Sequence, residues 1–142
     1  SHVPPDRNDG AVPVALSPCL RFYRYERGQY FRRHFDGLSY GSVMYGKADA
    51  RAPEPRWTLL LYLNDDGIGG GATRFFDAHN KVEFEVPPQR GAALLYEHSL
   101  LHEGAEVTAG TKYVLHVDIM FSTAAPAADA AASTWNNTCA VQ

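Results

Sequence analysis

From position 20 to 121 the chain is a succession of short runs rich in β-branched, aromatic and aliphatic residues, each closed by a turn signal. No stretch carries apolar residues at helical spacing over a normal helix length. The runs fall at 20–25, 30–36, 57–64, 72–76, 82–86, 92–97, 101–107 and 112–121, which makes eight candidate strands. Between them stand Arg27-Gly28, Asp66-Gly67, Gly69-Gly70-Gly71, Pro87-Pro88, Arg90-Gly91 and Ala109-Gly110, all favouring turns. Eight short strands in an all-β chain point to a two-sheet jelly roll or a small barrel, architectures that protect sheet edges. An immunoglobulin-type sandwich is the rival, but its cysteines lie within strands. Here Cys19 precedes the first run and Cys139 follows the last.

At 142 residues, 45% of them hydrophobic, the chain suits one domain with a single modest core. The expected organisation is an extended arm over 1–18, carrying Pro4, Pro5, Pro13 and Pro18, a β domain over 19–121, and an Ala/Ser/Thr/Pro-rich flexible tail over 122–142 onto which Trp135 could dock. The formal charge of -3 mixes both signs, which offers no basic groove for nucleic acid and no polybasic membrane patch. No apolar run reaches the roughly 20 residues of a membrane helix, and the opening residues, polar and Pro-containing, are unlike a signal peptide. The expectation is a soluble monomer of the cytoplasm or of a secretory lumen. Cys19 and Cys139 are either one bridge or two free thiols, and Asn136-Asn137-Thr138 is a glycosylation sequon.

His34-Phe35-Asp36 ends the second run, where strand alternation puts residues two apart on one face. One imidazole and one carboxylate thus converge, and His102 in the seventh run offers a second nitrogen. Two histidines and a carboxylate on one octahedral face leave three positions open, as in non-haem iron(II) oxygenases. The spacing alone does not decide, because His116-Val117-Asp118 repeats it. No histidine follows position 116 to complete that second pair, whereas His34 and Asp36 have His98 and His102 downstream. His79 and His98 read as surface residues.

Four ordered blocks extend the pattern: Arg21-Phe22-Tyr23-Arg24-Tyr25 leading to His34-Phe35-Asp36; Leu61-Tyr62-Leu63-Asn64; Gly70-Gly71-Ala72-Thr73-Arg74-Phe75; and His102-Glu103-Gly104 followed by Gly110-Thr111-Lys112-Tyr113. With them the chain resembles the prolyl 4-hydroxylase-like 2-oxoglutarate and iron(II)-dependent dioxygenases over residues 20–121. The resemblance implies a double-stranded β-helix of eight strands, with Fe(II), 2-oxoglutarate and O2 as the reactive set. It makes His34, Asp36 and His102 the metal ligands, and Lys112 the cation for the distal carboxylate of 2-oxoglutarate. Tyr62 aligns with a tyrosine that helps hold that carboxylate, Tyr25 with one lining the cosubstrate pocket, and Thr73 is a further pocket candidate. Tyr25 and Tyr62 could equally be core aromatics with satisfied hydroxyls, and Lys112 a solvated strand-end lysine.

The implied reaction couples hydroxylation of an unactivated carbon to decarboxylation of 2-oxoglutarate into succinate and CO2. Asp36 favours hydroxylation over halogenation, since related halogenases have a small residue in its place. The substrates implied are a prolyl residue of a peptide or protein, or else a free amino acid or small natural product. The loop over 37–56 is placed to cover substrate, and Arg32, Arg33 and Arg74 stand near the expected mouth, where a solvated arginine face is the plainer alternative. Two rivals from other classes are a catalytically silent jelly-roll binding module and a cupin-type metal protein without cosubstrate. In the last run Lys112, Val114, His116 and Asp118 share a face, so a titratable pair stands near the cosubstrate where the family often has a small residue and a tryptophan. That pair could buttress itself, orient His102, or engage a polar substrate.

Overall fold

A computed structural model of the chain describes residues 9–36 and 53–123. Among them there are eleven strands and no helix: β1 (Val12–Leu16), β2 (Arg21–Tyr25), β3 (Phe31–His34), β4 (Glu54–Tyr62), β5 (Gly69–Gly70), β6 (Thr73–Phe76), β7 (Val82–Val86), β8 (Ala93–Glu97), β9 (His102–Gly104), β10 (Val107–Ala109) and β11 (Lys112–Ser122). The larger sheet runs β1-β11-β4-β8, with β2 also paired to β11, and the smaller runs β3-β9-β6-β7. All pairings are antiparallel. Together they form the double-stranded β-helix.

Alternation builds the core. Leu60 and Tyr62 of β4, Leu94 and Tyr96 of β8, and Val114 of β11 point inward from the larger sheet and meet Phe75 of β6. On the other face of β8 and β11, Leu95 and Tyr113 are exposed, as period two requires. Phe75 stacks on Phe84 with centroids 4.6 Å apart and meets Tyr96 edge-on at 5.1 Å, so one ring ties the two sheets together.

Five expectations need correction. The arm over 1–18 contains a true strand: β1 pairs with the second half of β11, and Pro13 fits there because β1 is an edge strand. The run 101–107 is two strands, since β9 stays in the smaller sheet while β10 turns to pair with β5. Gly69-Gly70, read as pure turn, is that short partner β5. The loop expected over 37–56 ends earlier, because β4 begins at Glu54, and β11 runs one residue past the expected boundary, to Ser122. Cys19 is disulfide-bonded. Cys139, Trp135, the sequon, most of the tail and residues 37–52 lie outside the described residues. No helix among the described residues is long and apolar enough to cross a membrane.

Replacing Phe75 by Ala should destabilise the fold by about 3–5 kcal/mol, the usual loss for a buried aromatic. Urea denaturation checks this, and a change below about 1 kcal/mol would show that Phe75 does not join the sheets.

Candidate metal centre and cosubstrate cavity

Register creates the site. His34 on β3 and His102 on β9 are direct cross-strand partners, and His102 also faces Phe75 on β6. The two imidazole centroids lie 4.2 Å apart, close enough to share one ion. Each ring is fixed by its own backbone. Nδ1 of His34 is 2.7 Å from the carbonyl of Arg32, and Nδ1 of His102 is 2.9 Å from the carbonyl of Leu100. A carbonyl only accepts, so both Nδ1 atoms carry the hydrogen and both Nε2 atoms keep a lone pair.

Asp36, just beyond β3, supplies the carboxylate. Its Oδ1 stands 3.3 Å from His34 Nε2 and 3.7 Å from His102 Nε2, and the three donor atoms lie within 4.8 Å of one another. Its Oδ2 accepts a 2.5 Å hydrogen bond from Thr58 and has His116 Nε2 at 3.5 Å. Burial alone would raise the Asp36 pKa. The His116 hydrogen bond and the neighbouring His34 and His102 rings outweigh it and hold the carboxyl well below the usual range. Burial pushes His102 down. A neutral imidazole and an ionised carboxylate are the states a metal requires. Two nitrogens and one hard oxygen on a converging face suit iron(II), so the donor set fits.

A cavity of about 280 Å³ opens from this cluster, lined by Tyr25, Thr73 and Lys112 toward one end and by Arg21, His98 and Asp118 toward the other. Lys112 is 3% exposed. Its Nζ donates to the Gly71 carbonyl at 2.9 Å and sits 4.5 Å from the Tyr25 ring centroid. Gly71 has φ +71°, and a side chain there would press on Lys112. No carboxylate among the described residues pairs with Lys112, and burial lowers its pKa to about 8. A buried amine without a counter-ion fits an anionic ligand. Burial also raises the Tyr25 hydroxyl to about 12, which keeps it a neutral donor.

Of the residues singled out from sequence, His34, Asp36, His102, Lys112, Tyr25 and Thr73 all line this cavity. Tyr62 does not: it is fully buried behind the wall, its hydroxyl 2.7 Å from Thr73 Oγ1 and 3.0 Å from the Val86 carbonyl. It can act on a ligand only through Thr73. His98, expected at the surface, lines the cavity 3.6 Å from Asp118, while His79 is exposed as expected. Arg33 and Arg74 are outside the cavity, where both pair with Glu103 and Arg74 also pairs with Glu85. The plainer alternative, a solvated arginine face, holds for them. Thr58 and Tyr96 were not legible from sequence. Thr58 faces Tyr96 across β4 and β8, and the Tyr96 hydroxyl reaches His102 Nε2 at 3.3 Å; only the strand register reveals either.

The profile of the 2OG-Fe(II) oxygenase superfamily matches residues 20–118. The chain belongs to that superfamily, whose reactive set is Fe(II), 2-oxoglutarate and O2. Among solved structures, a prolyl-4-hydroxylase of Pseudomonas putida is similar, with 23% identity, 71% of this chain and 50% of that one covered, and a TM-score of 0.53. At that identity the likeness concerns the fold, and this chain spans half of that protein's length. Two looser matches are the viral collagen prolyl hydroxylase of Paramecium bursaria Chlorella virus-1 in its 2OG complex (23% identity, 72% and 61% covered, TM-score 0.49) and an RmlC-like cupin protein from Desulfovibrio desulfuricans (18% identity, 77% and 79% covered, TM-score 0.40). No conclusion rests on those two. A search of curated proteins found no match.

Two outcomes follow from the cavity wall. A protonated Lys112 is what an anionic ligand needs, and its pKa in the empty site is about 8. The dissociation constant for 2-oxoglutarate should therefore be flat below pH 8 and rise above it, approaching tenfold per pH unit. A constant that stays flat to pH 9.5 would remove Lys112 from the ligand. Tyr62→Phe should cost about 1–3 kcal/mol of stability through the lost Thr73 and Val86 bonds, while 2-oxoglutarate affinity changes less than about threefold. Paired chemical melts and cosubstrate titrations read both.

Proposed function

We propose that this chain is an Fe(II)- and 2-oxoglutarate-dependent dioxygenase that hydroxylates an unactivated carbon. The observation that carries this is the pairing, in one cavity, of the His34–Asp36–His102 donor cluster with a buried Lys112 that has no carboxylate partner among the described residues. A silent binding module or a metal-only cupin has no use for that lysine.

His34, Asp36 and His102 would hold the ion, which when bound with 2-oxoglutarate and O2 supplies the oxidising chemistry that turns a substrate C–H into C–OH, with succinate and CO2 as co-products. The residues do the rest. Lys112 and Tyr25 anchor the distal carboxylate, with Thr73 on the same wall held by Tyr62. Burial of Lys112 and Thr73 keeps water from competing for that anchor. Tyr96 packs against the His102 ring and fills the space beside it.

For the substrate we favour a prolyl residue of a peptide or protein, an analogy of fold with the P. putida prolyl-4-hydroxylase. A second reading, a free amino acid or small polar metabolite, is favoured by the charged wall of Arg21, His98 and Asp118, which offers little to a prolyl ring. The decisive assay is succinate release with Fe(II) and 2-oxoglutarate, run in parallel with proline-rich peptides and free amino acids, hydroxylation being read as a +16 mass shift in the product. Absence of both metal binding and cosubstrate turnover across such libraries would end the oxygenase reading. His102→Ala should abolish Fe(II) binding and turnover, whereas His98→Ala should keep metal affinity within about threefold. The opposite ranking, read by metal titration, would move the third ligand to His98.

A further inference from the structure

The unusual pair on β11, His116 and Asp118, stands directly behind the metal carboxylate. His116 is the cross-strand partner of Arg21 on β2, and Asp118 is the cross-strand partner of Thr58 on β4. Thr58 and His116 of the larger sheet thereby reach Asp36, which follows β3 of the smaller sheet, while Arg21 bridges His116 and Asp118 behind them.

The hydrogens in this group can be assigned without ambiguity. One guanidinium nitrogen of Arg21, Nη2, lies 2.6 Å from Asp118 Oδ1 and 2.8 Å from His116 Nδ1. That nitrogen has two hydrogens and no lone pair to offer, so it donates one to each. His116 Nδ1 is therefore the acceptor, and the ring carries its hydrogen on Nε2, the atom 3.5 Å from Asp36 Oδ2. Thr58 donates to the same oxygen. Both outer donors act on Oδ2, while Oδ1 is the oxygen turned to the two ligand imidazoles.

We propose that His116 is a positioning residue for the metal carboxylate: Asp118 and Arg21 fix its ring so that its Nε2–H, with the Thr58 hydroxyl, holds Asp36 Oδ2 and leaves Oδ1 as the single oxygen for the ion. The proposal rests on the metal-site reading above. It assigns a role to His116, Asp118 and Arg21 that is neither direct ligation nor cosubstrate binding. It also explains why a His-x-Asp pair recurs on β11 with no metal site of its own, since among the described residues the only group that could hold an ion is His34, Asp36 and His102. A carboxylate held in this way would offer an ion one oxygen rather than two.

The test is Co(II) titration of the metal-free protein, followed by calorimetry and by the visible ligand-field bands of the bound ion, which need neither cosubstrate nor substrate. His116→Phe should weaken Co(II) binding by about 10–100-fold, the usual effect of removing a hydrogen-bond partner of a metal ligand, and should change the ligand-field bands. His116→Gln, whose amide can both accept from Arg21 and donate to Asp36, should return affinity to within about threefold. Arg21→Met should weaken binding in the wild-type background and have no further effect in His116→Phe, because it acts through that ring. Circular dichroism and thermal melts of the metal-free variants separate these effects from loss of fold, and His116→Leu replaces the Phe variant if the larger ring prevents folding. Unchanged Co(II) affinity and spectrum in a folded His116→Phe protein would overturn the proposal, as would a folded His116→Gln protein no better than His116→Phe. A wild-type protein that binds Co(II) yet never consumes 2-oxoglutarate would sink the oxygenase reading and leave this one standing.

Discussion

The site depends on one cross-strand pairing, His34 against His102. In an antiparallel ladder directly opposed residues point to the same face, so the pairing of β3 with β9 delivers two imidazoles to one spot without any loop having to fold around them. A slip of one residue would turn either histidine to the outer face. Phe75, the neighbour of His102 on β6, makes that register costly to change because it is also the ring that joins the two sheets.

The second requirement is that the sheets close on one another. Asp36 lies past the end of β3, and its carboxylate is received by Thr58 and approached by His116, both from the opposite sheet. The Asp36 carboxylate is thus set by contacts across the sandwich, while the two imidazoles are set within one sheet. Along β11 the inward positions Lys112, Val114, His116 and Asp118 are each about 7 Å from the next, so a single strand spans the cavity. Its first inward residue lines the cavity with Tyr25 and Thr73, and its last two lie beside Asp36 and beyond it.

Much of this could be read from the sequence, for identifiable reasons. Period-two alternation with explicit turn residues marked most strands, and His34, Asp36, His102 and Lys112 sit in motifs whose order constrains them jointly. What escaped depended on register. Thr58 is an unremarkable hydroxyl in an apolar run, and only its place opposite Asp118 and Tyr96 brings it to the metal carboxylate. Tyr62 was expected in the pocket because it aligns with a tyrosine of the resembled family. Its hydroxyl instead ends at Thr73, one layer behind, a matter of reach that alternation does not encode. His98 was taken for a surface residue, yet its ring is turned inward against Asp118. Residues 12–16 passed for an arm because prolines mask strand propensity, and an edge strand tolerates proline where a central one does not.

That edge strand has a consequence for how the domain can be handled. β11 is the longest strand among the described residues and carries both the buried Lys112 and His116, which approaches Asp36. Its outer side is capped in relay, β2 covering its first half and β1 its second. Cutting the chain after position 18, where composition alone suggests a boundary, would uncap the backbone of residues 119–122. Unpaired main-chain groups on a flat, apolar edge recruit the nearest free strand. A shortened protein would therefore fail first by sticking to its own copies, with the metal ligands still intact.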